Sequence, residues 1–176
     1  MDRDDVVSAL MQILGERWVT SLAMRDPEDH APYATPLFYA LAEPRSIGDH
    51  AAPVLIVASD PNSHHGRLTG AGPTPIAASV YLESEAVGEL RGAQLRGVLI
   101  CETLCTPPAR EALRARYLER HPIATDTLAG GRHRLYALVL TWAKLTDNRL
   151  GFGAHPVVEF TLGWSGAPGL SASPGQ

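Results

Sequence analysis

Six or seven short strands are written into this chain, in β-prone runs at residues 18–24, 33–42, 54–59, 75–82, 94–104, 134–145 and 157–162. The runs do not alternate regularly with helices, as a parallel doubly wound sheet requires for its crossovers. Runs 18–24 and 33–42 are joined by Arg25-Asp26-Pro27-Glu28-Asp29, a polar turn containing proline, and read as a hairpin. Residues 43–53 carry Pro44, Gly48 and Pro53 with little apolar content and read as an exposed loop. The 83–93 connection, with Glu83, Glu85, Glu89, Arg91 and Gly92, is also read as exposed. The expected fold class is mainly β: a closed antiparallel barrel with peripheral α-helices.

Three helices are expected beside the strands. Val6, Val7, Leu10, Met11, Ile13 and Leu14 recur at helical spacing over 4–16, with acids in the first turn, and the helix ends near Gly15. Asp60-Pro61-Asn62-Ser63 reads as a turn into a short helix that fades by Gly70, because Asn62 and Ser63 can accept bonds from first-turn amides. Thr106 as N-cap, Pro107 and Pro108 at the start, and Ala109, Leu113 and Tyr117 on one face predict a helix over 107–120, ended by His121-Pro122. Residues 163–176 are mostly Gly, Ser, Ala and Pro, too poor in apolar surface to repay ordering. One domain over 1–162 and a flexible tail over 163–176 are expected.

Composition narrows the partners. With 45% hydrophobic and 19% charged residues the 176-residue chain is of ordinary globular make-up, not a fibre or a membrane span. A net charge of -4 provides no positive field for nucleic acid or anionic lipid. The start, with Asp2, Arg3, Asp4 and Asp5 before a broken apolar pattern, lacks the features of a signal peptide, so a cytoplasmic protein is expected. Cys101 and Cys105 fall in the run 94–104 and just beyond it; on one extended strand they stand roughly 13 Å apart, too far for a disulfide. They form no CxxC pair and are assigned to the core. Adjacent His64 and His65 rarely converge on one metal, and no metal site is expected.

Several residues suit a ligand, each with a structural alternative. Ser63, His64, His65 and Arg67 mix hydroxyl and basic groups at a helix start, as an anionic phosphate requires, or they form a solvated polar loop. Thr35 and Pro36 sit mid-strand, where proline marks an edge, a bulge or a backbone opened toward a ligand. Ser59 and Gln94, at strand ends, offer hydrogen bonds to a ligand or act as a turn cap and an exposed strand end. No Ser-His-Asp order, Walker-type loop or carboxylate pair stands out, so no catalytic side chain is assigned.

The segment Thr146-Asp147-Asn148-Arg149-Leu150-Gly151-Phe152-Gly153 resembles the C-terminal signature of the pyridoxamine 5′-phosphate oxidase-like FMN-binding split-barrel superfamily. In the order that family requires come the opening helix, Ala34-Thr35-Pro36-Leu37-Phe38-Tyr39, Ser63-His64-His65-Gly66-Arg67, Gln94-Leu95-Arg96-Gly97 and the helix after Thr106, so the resemblance covers 6–153. It is nearest to an uncharacterised bacterial branch lacking the full substrate-binding set of the true oxidases.

The resemblance implies a six-stranded antiparallel Greek-key split barrel, and a homodimer whose two chains build a groove for FMN. It implies phosphate contacts at Ser63, His64 and His65, with His64 standing where relatives often carry arginine. Thr35 and Pro36 would border the isoalloxazine ring, Ser59 and Gln94 would meet the ribityl chain and the ring's polar edge, and Phe152 would pack at the dimer seam. The implied activity is that of an FMN-dependent oxidoreductase acting on an unidentified small molecule or electron donor, the flavin supplying the chemistry. A non-enzymatic flavin or haem binding or sensing protein and a deazaflavin-dependent reductase are the alternatives.

Overall fold

The computed structural model describes residues 2–47, 51–69, 72–150 and 155–162. Gly48, Gly70, the Gly151-Phe152-Gly153 part of the signature and the tail 163–176 lie outside the described residues. Seven strands form one sheet: β1 (Val19–Arg25), β2 (Pro32–Ala42), β3 (Val54–Ser59), β4 (Thr74–Leu82), β5 (Arg91–Cys101), β6 (Arg134–Asp147) and β7 (Val157–Glu159). Their order is β3-β2-β1-β4-β5-β6-β7, and a further pairing of β3 with β6 closes the first six into an antiparallel barrel. The 14-residue β6 is shared on one edge: its first half pairs with β3 and its second half with β7.

Burial follows this closure. Leu22, Val57, Ala78, Leu95, Leu138 and Leu140 alternate inward from their strands into the barrel interior. Helix α1 (Arg3–Gly15), begun by a capping box between Asp2 and Asp5, adds Val6, Leu10, Ile13 and Leu14 to that cluster. Its Leu14 carbonyl accepts the buried Tyr39 hydroxyl at 2.5 Å. A second cluster lies outside the barrel, where α3 (Pro107–Arg120) sets Ala109, Leu113 and Tyr117 against Ala40, Ile56, Leu135, Ala137 and Val139. β3 and the first half of β6 are thus buried on both faces, which explains their unbroken apolar runs. A short α2 (His64–Leu68) follows β3, and α4 (Thr125–Ala129) follows α3. No helix among the described residues is long and apolar enough to cross a membrane.

A bulge in β6 sets which way its second half faces. Arg96 pairs with Trp142 while Gly97 pairs with Leu140, leaving Thr141 as the extra residue. Before it, Tyr136, Leu138 and Leu140 face inward; after it Ala143 and Leu145 do, so Trp142 and Lys144 turn outward. Gly97 permits this crowding, since a Cβ there would lie 2.3 Å from the Val139 carbonyl oxygen.

The structure departs from the sequence reading at four points. β5 begins and ends three residues earlier than expected, because Glu102–Leu104 form a single 3-10 turn. Cys105 therefore leaves the strand and folds back, its Sγ 3.8 Å from the Cys101 carbonyl oxygen; both cysteines are free, Cys105 buried and Cys101 half-buried. The short α4 was not expected, and β7 is three residues rather than six. In the turn after β5 the buried Glu102 carboxylate accepts the Leu135 amide at 3.0 Å.

Two stability predictions follow from this packing. Gly97→Ala should cost about 1–3 kcal/mol through backbone overpacking, whereas Gly72→Ala, whose Cβ meets nothing within 4 Å, should leave the chemical denaturation midpoint unchanged or slightly raised. Glu102→Ala should cost about 1–3 kcal/mol by orphaning the Leu135 amide, and Glu102→Gln, which keeps an acceptor, should retain most of that, both read from urea unfolding.

Candidate functional site

α3 covers the outer face of β2 at Ala40 and Ala42 and of β5 at Ile100, and leaves open the outer face of the first part of β2, of β1 and β4, of the first part of β5 and of the second half of β6. Register places Pro36, Ser21, Ser79, Gln94 and Lys144 in one row across five strands, and Ala34, Ala23, Ala77, Arg96 and Trp142 in the next. Ala34, Pro36, Ala23, Ala77, Gln94 and Arg96 are exposed, and Ser21, Ser79, Trp142 and Lys144 half-buried. The face is a floor of small side chains bordered at one side by a cation, an indole, an amide and a second cation. Adjacent strands are about 4.8 Å apart, so Gln94 stands about 14 Å from Pro36. Towards one end, Arg17, Val19, Ser21, Pro36, Tyr81, Leu82 and Glu83 line a hollow of about 460 Å³. Beside it Trp18, Phe38 and Tyr81 are each at least half exposed.

A second group gathers where β3 ends. Ser59, at the barrel mouth, lies with its hydroxyl 2.6 Å from Nε2 of His65 and 3.1 Å from that of Ser63. Ser63 is the N-cap of α2: its oxygen accepts the Gly66 amide at 3.1 Å and donates to the Asp60 carbonyl at 2.6 Å. His64 is exposed, edge-on to Tyr33 at 4.6 Å, with Nε2 3.8 Å from the Asp26 carboxylate. Burial, and then the neighbouring His64, lowers the His65 imidazole below its usual range, which favours the neutral ring, and its Nε2 shares a hydrogen bond with the Ser59 hydroxyl. Arg67 donates to the Asn62 carbonyl.

The expected ligand residues thus divide. Ser59, Ser63, His64 and His65 come together at one corner, but their hydrogen bonds close on one another and on the backbone. Pro36 and Gln94 lie on the open face, whereas Thr35, one residue from Pro36, is buried among the inward-facing positions. Tyr33 and Asp26 at the corner, and Arg96, Trp142 and Lys144 on the face, were not singled out from the sequence. Alternation in β5 links Gln94 to Arg96, but the outward turn of Trp142 and Lys144 depends on the bulge. Among the described residues there is no group of three or more His, Cys, Asp or Glu placed to hold a metal ion. The signature turn is a structural staple: Arg149 grips the Asp147 carboxylate at 2.6 Å and holds it below the usual range, and the Asn148 side chain donates to the Val87 carbonyl at 2.7 Å.

No family model matches the chain. A UPF0306 protein from Cronobacter sakazakii is 30% identical over 149 residues, which are 85% of this chain and 92% of that protein. A haem-binding protein from Mycobacterium smegmatis superposes with a TM-score of 0.70 at 19% identity over 90% of this chain; the chain spans only 60% of that protein's length. An FAD-binding protein from Mesorhizobium loti superposes at 0.56 with 17% identity, over 76% of this chain and 88% of that one. A Clostridium acetobutylicum protein related to general stress protein 26, of the pyridoxinephosphate oxidase family, gives 0.56 at 9% identity, over 90% and 96%. These structural likenesses establish the fold, and the sequence likeness the family: the chain belongs to the UPF0306 family, folded as a pyridoxamine 5′-phosphate oxidase-like split barrel.

Proposed function

We propose that this chain is a flavin-binding protein that holds FMN on the open face of its barrel, between two copies, and serves as an oxidoreductase toward a small molecule. The observation that carries the reading is the floor itself: Ala34, Ala23, Ala77, Pro36, Ser21 and Ser79 form a shallow sheet surface without bulky side chains. A planar ring can lie against such a surface, and exposed Gln94 offers both a donor and an acceptor to the ring's polar edge. When bound, FMN would supply hydride or electron transfer, and the protein orientation and electrostatics. The FAD-binding neighbour supports a flavin. The haem-binding neighbour, with the exposed His64 imidazole, supports haem as the second reading.

The dimer rests on Trp18, Val19, Phe38 and Tyr81, exposed at 50%, 42%, 60% and 55% beside the floor. Arg120 lies over the Trp18 ring at 3.5 Å from its centroid and fixes part of this apolar rim. A second copy seated here would bury the rim and roof the floor, as an isologous interface does.

Titration with FMN should give a yellow complex of micromolar or tighter Kd that NAD(P)H or dithionite bleaches; an unchanged flavin spectrum combined with a Soret shift on adding haemin would move the assignment to haem. Gln94→Ala should weaken FMN about 3–10-fold, the worth of one hydrogen bond. Light scattering should report twice the 18.9 kDa chain mass, and Phe38→Glu should halve it while leaving the far-UV circular dichroism intact.

A further inference from the structure

The open face carries more than a floor. Arg96 and Lys144 stand diagonally across the β5–β6 pair, with Gln94 opposite Lys144 and Trp142 opposite Arg96. Diagonal neighbours on such a pair are about 7–8 Å apart, within reach of long side chains. The Arg96 guanidinium lies over the Trp142 ring, 4.6 Å from its centroid. Stacking immobilises the guanidinium without using its N–H groups, which radiate in the plane of the fork. Among the described residues neither Arg96 nor Lys144 forms an ion pair, whereas Arg91, Arg116 and Arg149 each meet a carboxylate within 3.0 Å. Glu159 faces the same side from β7: Trp142 stands between it and Arg96, and it is a diagonal neighbour of Lys144 without forming an ion pair with it. Two unneutralised cations adjoining an amide, on a chain of net charge -4, form a local reversal of sign.

The corner at α2 lacks that character. Its serine hydroxyls and His65 are engaged with one another, burial favours the neutral His65 ring, and the Asp26 carboxylate stands 3.8 Å from His64. An anion approaching there meets a like charge, whereas among the described residues no carboxylate lies within ion-pair distance of Arg96 or Lys144.

We propose that Arg96, Lys144 and Gln94, with Trp142 as a stacking support, form a recognition site for a phosphate or carboxylate group carried by a planar aromatic ligand. The site deepens the flavin reading, on which only its choice of ligand rests. The anion is either the flavin's own phosphate or that of a second molecule brought against the ring.

Two measurements separate these sources. The first compares the Kd of FMN with that of riboflavin; the second titrates FMN-loaded and flavin-free protein with phenyl phosphate and with phenol, following the Trp142 indole N–H by NMR. If the site holds the flavin's phosphate, wild type should prefer FMN over riboflavin by 10-fold or more, and Arg96→Gln with Lys144→Gln should erase the preference while riboflavin affinity stays. If it serves a second molecule, phenyl phosphate but not phenol should shift the indole signal of the FMN-loaded protein, and the double variant should abolish the shift while FMN affinity stays. A wild type that binds no flavin yet shifts with phenyl phosphate would retain this site and remove the flavin reading. The proposal is overturned if the double variant keeps both the FMN preference and the phenyl phosphate response of the wild type, if wild type shows neither, or if His64→Gln erases the FMN preference that Arg96→Gln leaves intact.

Discussion

Closure of the barrel rests on the six residue pairs that join β3 to β6, from Val54 with Val139 to Ser59 with Arg134. These strands are distant in sequence, and bringing them together carries the loop entropy of all that lies between. Burial on both faces offsets it. Leu55 and Val57 of β3 and Leu138 of β6 fill the interior, while Val54, Ile56, Ala137 and Val139 lie under α3. At about 25 cal/mol per Å² of apolar surface, two strands with no solvated face contribute more per residue than any other part of this sheet. Because α3 is committed to covering this seam, the opposite side of the sheet is left open.

That asymmetry separates structure from function. On the covered side polar groups meet backbone partners one at a time: one Glu102 carboxylate oxygen accepts the Leu135 amide, its other oxygen being buried without a partner among the described residues, and His121 meets the Tyr39 carbonyl at 2.9 Å. On the open side the side chains are small, the aromatic rim is uncovered, and two cations lack carboxylate partners among the described residues. The α2 corner is intermediate: it has the residue types of an anion site, but the geometry turns them into a cap for a five-residue helix and a plug at the barrel mouth.

The sequence disclosed what is local. β3 appears at its full extent, 54–59, because a buried run bounded by proline and Asp-Pro has no other plausible form. The helices at 3–15 and 107–120 follow from apolar spacing, the second also from the prolines at its start; Thr106 stands at its N-cap position without a side-chain cap bond. What stayed hidden depends on partners far along the chain. The 3-10 turn at Glu102 ends β5 inside an apolar run, since the Glu102 side chain is called to the start of β6, 33 residues on. Thr35 and Pro36 are adjacent yet face opposite ways, and nothing in the pair itself says which faces in. Likewise, period-two alternation across 134–145 groups Trp142 with Leu138 and Leu140, and only the pairing with β5 reveals the extra residue that separates them.

The bulge also has an energetic logic that ties the fold to the face. In an unbulged β6, Trp142 and Lys144 would point into the apolar interior occupied by Leu95, Ala143 and Leu145. An ammonium group there costs several kcal/mol even after relaxation, whereas a bulge gives up about one ladder hydrogen bond, worth about 1 kcal/mol net. Part of even that is recovered, because the Thr141 carbonyl accepts the Phe160 amide at 2.9 Å and brings in β7. The charge on Lys144 therefore selects the bulged register against its competitor, and Gly97 opposite makes that register sterically possible. Lys144, one of the two cations that give the open face its positive character, thus also favours one register of the strand that carries it, and a neutral polar residue there, equally unsuited to the apolar interior, favours the same register.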